Sequence, residues 1–252
     1  MRILLTNDDG IEADGLVELE RKLRKLGPVA VVAPIRPRSA VSQSITLHKP
    51  IVVTPLGPRR FAVDGTPTDC VKLALRELLP PSHRPDLIVS GINRGLNTGC
   101  DILYSGTVAG ALEGALHGIP SIAVSLEVSA RMNFRSAAAL ATPIIRRLAG
   151  DPRTAFNLNI PALARDRIRG IRVTRQESAL TRDLFERRRD PRGRPYFWLG
   201  AAAPAPAFTT EPNGLWTDAR AVQSGYISVT PLARDLTAHS EVPRLEARLR
   251  KK

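Results

Sequence analysis

The sequence predicts an α/β protein with a three-layer, Rossmann-like core, in which a mostly parallel sheet is covered by helices on both faces. Two observations lead to this class. Short, continuously apolar segments alternate with segments of helical periodicity through the first 160 of the 252 residues. Strands that are apolar on both faces are typical of a parallel sheet, because helices then bury both of its faces. A chain of this length is long enough for one large domain with a substantial core.

The predicted elements follow one another in the order expected of that class. The segment ILLT predicts a first strand, and leucines spaced three or four residues apart predict an amphipathic helix over 13–26. Gly27 and Pro28 end that helix. The predicted strands are 3–6, 29–34, 51–54, 61–63, 87–90, 121–126 and 156–161, and the further predicted helices are 67–79, 107–117 and 134–148.

The pattern changes after about residue 175, so we divide the chain into a core domain, 1–175, and an extension, 176–252. The extension contains a charged stretch (181–194), a strand (196–200), an Ala/Pro-rich segment typical of a linker (201–208), a second strand (225–232) and a basic helical tail (241–252). This combination predicts a β-hairpin arm, a linker and a returning strand that pack on another subunit. It does not favour a second globular domain.

The formal net charge of +13 is carried almost entirely by Arg, since only six of the 37 basic residues are Lys. Between residues 146 and 194 there are fourteen Arg and six acidic residues, so the basic excess lies in the second half. Such a surface attracts nucleic acid or a polyanionic substrate, but it is also typical of a solvated surface in an Arg-rich proteome. Aromatic residues make up only 4% of the chain, which does not favour a base-stacking platform.

The two cysteines, Cys70 and Cys100, form neither a CxxC motif nor a zinc-ligand spacing. A reduced, intracellular protein is the simplest interpretation. The N-terminal apolar stretch is interrupted at Thr6, which argues against a signal peptide. No apolar run approaches the roughly 18 residues that a membrane span needs. We therefore expect a cytoplasmic protein with no membrane partner.

Polar residues follow three of the predicted strands, at the sheet edge where open α/β proteins bind ligands. Asp8 and Asp9 come directly after the first strand, Ser39 lies in the loop after the second, and Asn93 follows the segment DLIVS. Their carboxylate, hydroxyl and amide oxygens suit Mg²⁺ or Mn²⁺ better than structural zinc. Gly10 permits a turn that lets both carboxylates face one ion. Taken alone, the Asp-Asp-Gly sequence is more typical of a polar turn that caps a helix.

The tripeptide Ser105-Gly106-Thr107 leads directly into a predicted helix. Exposed N–H groups, hydroxyl donors and the helix dipole make this a phosphate cradle, although the same pattern is also that of an ordinary N-cap. A second pattern in this segment is a glycine at every fourth position, Gly106, Gly110, Gly114 and Gly118. It predicts a helix face that packs closely on its neighbour. A cation site with oxygen ligands beside a phosphate cradle is typical of a phosphoesterase.

Six segments of the sequence, taken in order, resemble the SurE family of stationary-phase survival nucleotidases. They are TNDDG (6–10), RSAVSQSIT (38–46), GTPTDCV (65–71), SGINRGLN (90–97), YSGTVAGALEG (104–114) and GYISVTPL (225–232). The resemblance implies a metal-dependent phosphatase of nucleoside monophosphates that acts on 5′- and 3′-nucleotides, with exopolyphosphatase activity in some members. We expect one divalent ion, Mg²⁺ or Mn²⁺, per subunit.

Carried over residue by residue, the resemblance implies particular ligands. The metal ligands are Asp8, Asp9, Ser39 and Asn93, and the phosphate-binding residues are Asn97, Ser105, Gly106 and Thr107. The family also implies homodimers or homotetramers built by exchange of C-terminal elements, in agreement with the predicted arm. The Arg-rich stretch at 182–194 matches no segment of the family.

The mechanism that we predict is hydrolysis by a metal-activated water, with Asp8 or Asp9 also serving as general base or acid. One alternative is a phosphatase that forms an aspartyl-phosphate, but its two acids are usually separated by one residue, whereas Asp8 and Asp9 are adjacent. The other alternative is a basic protein that binds nucleic acid through its Arg-rich half. We expect nucleoside monophosphates, and polyphosphate in addition, as substrates, and no specific nucleic-acid partner.

Overall fold

The structure is a computed structural model, and it describes residues 1–151, 154–179, 184–200 and 214–250. The strands are β1 (Ile3–Thr6), β2 (Val29–Pro34), β3 (Val53–Gly57), β4 (Arg60–Val63), β5 (Leu87–Arg94), β6 (Ser121–Leu126), β7 (Ala155–Ile160), β8 (Ile171–Val173), β9 (Phe185–Arg189), β10 (Pro195–Leu199) and β11 (Ile227–Leu232). The α-helices are α1 (Asp14–Leu23), α2 (Pro67–Leu73), α3 (Asp101–Tyr104), α4 (Gly106–Leu116), α5 (Phe134–Leu148), α6 (Asp218–Gln223) and α7 (Val242–Leu249).

Nine of the strands form one sheet in the order β3-β4-β2-β1-β5-β6-β7-β11-β8. The six strands from β4 to β7 are parallel. At one side β3 pairs antiparallel with β4, and at the other β11 pairs antiparallel with β7 and parallel with β8. On β1, Leu5 packs in the cluster that contains α1 and α5, and Leu4 packs in the cluster that contains α2. The predicted fold class, a three-layer α/β/α core with a mostly parallel sheet, is therefore confirmed.

Most predicted elements are present, and the differences lie at their ends. β6 and α5 have the predicted bounds, but β5 continues to Arg94 instead of ending at residue 90. A register shift between Gly91 and Asn93 lets the strand go on pairing with β6. Asn93 is therefore a residue of a bulged strand end and not of a free loop. The helix predicted over 67–79 is α-helical only to Leu73, and a π-helical turn follows over Ala74–Leu78.

The C-terminal part of the chain returns to the sheet. β11 pairs with β7 and with β8, whereas β9 and β10 form a separate antiparallel hairpin whose residues are all exposed. The predicted linker at 201–208 lies outside the described residues. The division at residue 175 stays a prediction. The returning strand of the predicted extension, β11, is part of the core sheet. In the part of the chain that the structure describes, none of the helices combines the length and the apolar composition that a membrane span requires.

Three glycines let α4 lie directly on the sheet. A Cβ added at Gly110 would be 3.0 Å from Ser90 Oγ, and one added at Gly114 would overlap Ser121 Oγ and lie 2.6 Å from Ile88 Cδ1. Gly106 approaches Asp8 in the same way. Gly118 differs, because it follows the helix with φ +71° and has no atom within 4 Å of its Cβ position. The predicted packing stripe thus covers three of the four glycines.

The close approach of α4 predicts a stability effect. Gly114→Ala should lower the free energy of unfolding by about 1–2 kcal/mol, because overpacking outweighs the gain in helix propensity. Gly150→Ala is the matched control, since its added Cβ meets no atom within 4 Å. We expect the control to change stability by no more than about 0.5 kcal/mol. Urea denaturation measures both variants, and equal stabilities would contradict the packing of α4 described above.

Candidate active site

A short turn at the end of β1 presents two adjacent carboxyl groups. Asn7 Nδ2 donates to the Gly10 carbonyl (2.9 Å), and the Gly10 N–H donates to Asn7 Oδ1 (3.2 Å). Gly10 has φ +108°, a conformation that side chains disfavour. The helix after the turn begins at Asp14 and has no side-chain cap. Asp8 and Asp9 are therefore not helix caps, and the capping interpretation of Asp-Asp-Gly is wrong.

Asp8 is the more enclosed of the two acids, with 4% of its surface exposed. Its Oδ1 accepts a hydrogen bond from Thr107 Oγ1, and its carbonyl accepts from the Arg38 N–H (2.7 Å). A Cβ on Gly106 would lie 2.9 Å from Asp8 Cβ. Burial raises the pKa of Asp8 from 3.8 to about 6, against the opposing effect of the Thr107 hydrogen bond. The first turn of α4 and the loop after β2 are thus both fixed to this residue.

Asp9 faces the end of the neighbouring strand. Its Oδ2 accepts from the Arg94 N–H (3.0 Å), and burial raises its pKa, although it is less enclosed than Asp8. Asn93 precedes Arg94 and donates from Nδ2 to the Gly95 carbonyl (3.0 Å). Because the amide nitrogen is used in that bond, the amide oxygen is the atom that suits a cation. Asp9 and Asn93 are therefore brought to the same point, where β1 and β5 end.

Ser39 is exposed and follows Arg38, the residue whose N–H is bonded to Asp8. The loop is also fixed to α3, because the Ser42 N–H donates to the Tyr104 carbonyl (2.9 Å) and Ser42 Oγ donates to the Leu103 carbonyl (2.7 Å). Ser42 has a left-handed backbone conformation, with φ +50°. The loop that carries Ser39 therefore lies over the ends of β1 and α3.

The predicted phosphate cradle lies at the start of α4. Ser105 is the N-cap of the helix, and its Oγ accepts from the Val108 N–H (3.1 Å). The N-cap interpretation is therefore correct for its oxygen, while its hydroxyl proton stays available to a ligand. Thr107 uses its hydroxyl on Asp8. In this structure Thr107 links the carboxyl pair to the helix, and its contact with phosphate stays a prediction.

Asn97 lies against the sheet and is only 6% exposed. Its N–H donates to Asn159 Oδ1 (2.8 Å), and its Nδ2 donates to Ser125 Oγ (2.8 Å). Its carbonyl accepts from Asn157 Nδ2 (2.7 Å) and from Asn159 Nδ2 (3.1 Å). One of its two side-chain N–H bonds is thus used inside the protein. Asn97 anchors the loop after β5, and its contact with phosphate stays a prediction.

Asp218, at the start of α6, anchors the same loop from the other side. Its Oδ2 accepts from the Gly99 N–H (3.0 Å), and its Oδ1 accepts from the Glu177 N–H (3.0 Å) and the Ala219 N–H (2.8 Å). Burial raises its pKa, and the backbone donors oppose that effect. Sequence analysis missed this residue, because its contact with Gly99 spans 119 positions.

Asn157 and Asn159 were also missed, although the sequence carries a signal for them. They are two residues apart in an otherwise apolar strand and so share one face of the sheet. Paired amides in a buried strand predict a polar partner, because buried polar groups are almost always hydrogen-bonded. The partner is the loop that contains Asn97.

The donor set suits a hard divalent cation. Two carboxylates and one side-chain amide lie where β1 and β5 end, and oxygen ligands of this kind are those that Mg²⁺ and Mn²⁺ prefer. The Ser39 hydroxyl as a further ligand stays a prediction. Among the described residues there is no group of three or more His, Cys, Asp or Glu that could hold a metal ion. A cation at this position would therefore have Asp8 and Asp9 as acidic ligands and neutral oxygens as the others.

Comparison with known proteins identifies close relatives. The family model "Survival protein SurE" matches residues 3–183. The curated "5'-nucleotidase SurE" of Synechococcus elongatus is 43% identical, over 98% of each chain. The protein of the same name from Syntrophotalea carbinolica is 48% identical, over 94% of this chain and 93% of its own. The crystal structure of the SurE protein from Aquifex aeolicus superposes with a TM-score of 0.85 at 39% identity, over 99% of this chain and 100% of its own.

The raised pKa of Asp8 predicts a pH-dependent stability in protein freed of divalent ions. Because the folded protein holds this proton more tightly than the unfolded chain does, Asp8 stabilises the fold at low pH, and this contribution is lost as the pH rises from 3.8 to about 6. The Asp8→Asn variant lacks this dependence. Its stability relative to wild type should therefore rise by about 2 kcal/mol between about pH 4.5 and about pH 7.5.

Urea denaturation in EDTA at the two pH values measures this difference. Addition of Mn²⁺ at neutral pH should then stabilise the wild type more than the variant, because the ion binds the folded site. A pH-independent difference between the two proteins would contradict the burial of Asp8.

Proposed function

The chain belongs to the SurE family, and from this membership and the geometry of the site we propose that it is a divalent-metal-dependent 5′-nucleotidase. Such an enzyme is a phosphoric monoester hydrolase that acts on nucleoside monophosphates. One observation carries the proposal: the buried Asp8 carboxylate of an acidic pair is hydrogen-bonded to the first turn of α4. The proposed cation site at Asp8 and the proposed phosphate site at the start of α4 are therefore joined by one hydrogen bond. The relatives named 5′-nucleotidase SurE, which match nearly the full chain, support the proposal.

The residues that would hold the ion are Asp8, Asp9, Asn93 and Ser39, with one Mg²⁺ or Mn²⁺ per subunit. Burial of two adjacent carboxyl groups raises the pKa of both, and a bound cation offsets that cost by supplying the opposite charge. When bound, such an ion polarises a phosphoryl oxygen and lowers the pKa of a water molecule.

The protein's own groups orient the substrate. The Ser105 hydroxyl and the N–H groups of the first turn of α4 bind the phosphate oxygens, and the helix dipole favours the negative charge that develops on them. Thr107 holds Asp8 in place through its hydroxyl. Asp9 is the more accessible of the two acids, and we assign it as the group that accepts the proton of the attacking water.

The extension supports a homodimer or homotetramer. An isolated two-stranded hairpin is marginally stable in water, yet Phe197 and Trp198 on β10 are 59% and 60% exposed. On α7, Val242, Leu245 and Leu249 are also exposed and share one helix face. A second copy of the chain that covers these surfaces would remove them from water. A cytoplasmic location is part of the same proposal, in agreement with the free thiols of Cys70 and Cys100.

Polyphosphate is a further candidate substrate, because the basic second half of the chain attracts polyanions. The aspartyl-phosphate alternative requires an accessible carboxylate as nucleophile; because Asp8 is buried beneath α4, Asp9 is the acid that this alternative would use. The nucleic-acid alternative would use the same Arg-rich half for binding, but it does not explain the acidic pair Asp8 and Asp9.

The proposed activity is tested by phosphate release from 5′- and 3′-nucleoside monophosphates and from polyphosphate. We expect EDTA to abolish release from 5′-nucleotides and added Mg²⁺ or Mn²⁺ to restore it. Asp9→Asn should lower kcat by about 100-fold or more, because it removes an anionic ligand. Asp14→Asn, an exposed acid at the start of α1, is the matched control and should keep the wild-type rate.

Wild-type turnover by Asp9→Asn at equal metal content would contradict the site assignment. A phospho-aspartate mimic trapped with beryllium fluoride would favour the covalent alternative. RNA binding that weakens steeply with salt, together with no turnover of mononucleotides, would favour the nucleic-acid alternative.

A further inference from the structure

We infer that an uncharged cavity beside the first turn of α4 binds the nucleoside part of the substrate, an inference that rests on the proposed nucleotidase function. The cavity has a volume of about 270 Å³, and Ser105, the N-cap of α4, forms part of its wall. The residue that we assign to phosphate binding thus also borders this cavity. We therefore assign this wall to the organic part of a substrate whose phosphate lies at the helix N-terminus.

The elements around the cavity are those that build the site. The loop after β2 is bonded to Asp8 through the Arg38 N–H and then supplies Ser42 and Gln43 to the cavity wall. Two hydrogen bonds from Ser42, to the carbonyls of Leu103 and Tyr104, fix that loop to α3. Cavity and cradle therefore share their supports and hold a fixed position relative to each other.

The chemistry of the wall fits a neutral ligand. The wall consists of aliphatic side chains such as Leu112 and Leu232, together with the amides of Gln43 and Gln176. Among the described residues, none that lines the cavity carries a formal charge. Aliphatic surface buries the faces of a nucleobase, and amides pair with its polar edges. A second phosphate group would instead need Arg or Lys partners.

Size and position agree with this assignment. The volume is slightly below the range of about 300–1,000 Å³ of complete small-molecule sites, as expected where the phosphate lies outside the cavity. A larger cavity of about 390 Å³ between α5 and the loop after β7 is lined by none of the candidate site residues. Volume alone therefore does not select the substrate site, whereas contact with Ser105 does.

A variant that fills the cavity tests the inference. Ala233 is an exposed residue of the wall, so that Ala233→Trp places a large side chain in the cavity without disturbing the buried core. We expect the KM for AMP and the inhibition constant of adenosine each to rise by about tenfold or more. The inhibition constant of inorganic phosphate, which occupies only the cradle, should stay within about twofold.

Two further variants complete the experiment. Gln43→Ala should raise the inhibition constant of adenosine by about threefold or more, because it removes an amide partner of the base. Leu56→Trp, at an exposed position of the edge strand β3, is the matched control and should leave all three constants unchanged. Agreement of the three variants with these expectations supports the nucleoside cavity.

Two results would overturn the inference while the proposed function stands. One is an unchanged KM for AMP in both Ala233→Trp and Gln43→Ala. The other is an equal weakening of phosphate and adenosine, which would indicate damage to the cradle. If the wild-type protein with Mg²⁺ or Mn²⁺ releases phosphate from no nucleoside monophosphate, the proposed function itself fails, and the inference fails with it.

Discussion

The contact between Asp8 and the first turn of α4 is the interaction on which the candidate site depends. The Thr107 hydroxyl donates to the carboxylate, and the absence of a side chain at Gly106 permits the helix to approach Asp8. Gly110 and Gly114 maintain this approach along the sheet. A helix N-terminus favours anions and a pair of carboxylates favours a cation, so their contact suits the metal and the phosphate of the proposed function.

The loop after β5 is held in place by residues that lie far from it in the sequence. Asn97 and Gly99 belong to one loop, which is held from below by the amides of β7 and from the C-terminal segment by Asp218. A loop that lies on a sheet needs partners for its backbone groups, and these buried polar side chains provide them. Residues far apart in the sequence therefore fix the position of the loop after β5.

Much of the fold was predictable from the sequence, because apolar strands and helical periodicity are local signals. The short elements β8 and α3 were not, since three or four residues show no period and, unlike β1, β8 contains no continuous apolar run. The continuation of β5 to Arg94 depends on pairing with β6 after a bulge, which no local pattern shows. The convergence of Asp8, Asp9 and Asn93 was predictable from the rule that strand ends share an edge. The burial of Asn97 and the role of Asp218 were not, because they depend on contacts between distant segments.

The proposed function depends on the binding of a divalent cation by Asp8 and Asp9 at the end of β1. A crystal structure of the protein grown with Mn²⁺, with anomalous diffraction data, tests it most directly. We expect one anomalous peak per subunit, in contact with the carboxylates of Asp8 and Asp9 and beside the first turn of α4. An ordered Mn²⁺ ion at another site, with no peak between these two carboxylates, would contradict it.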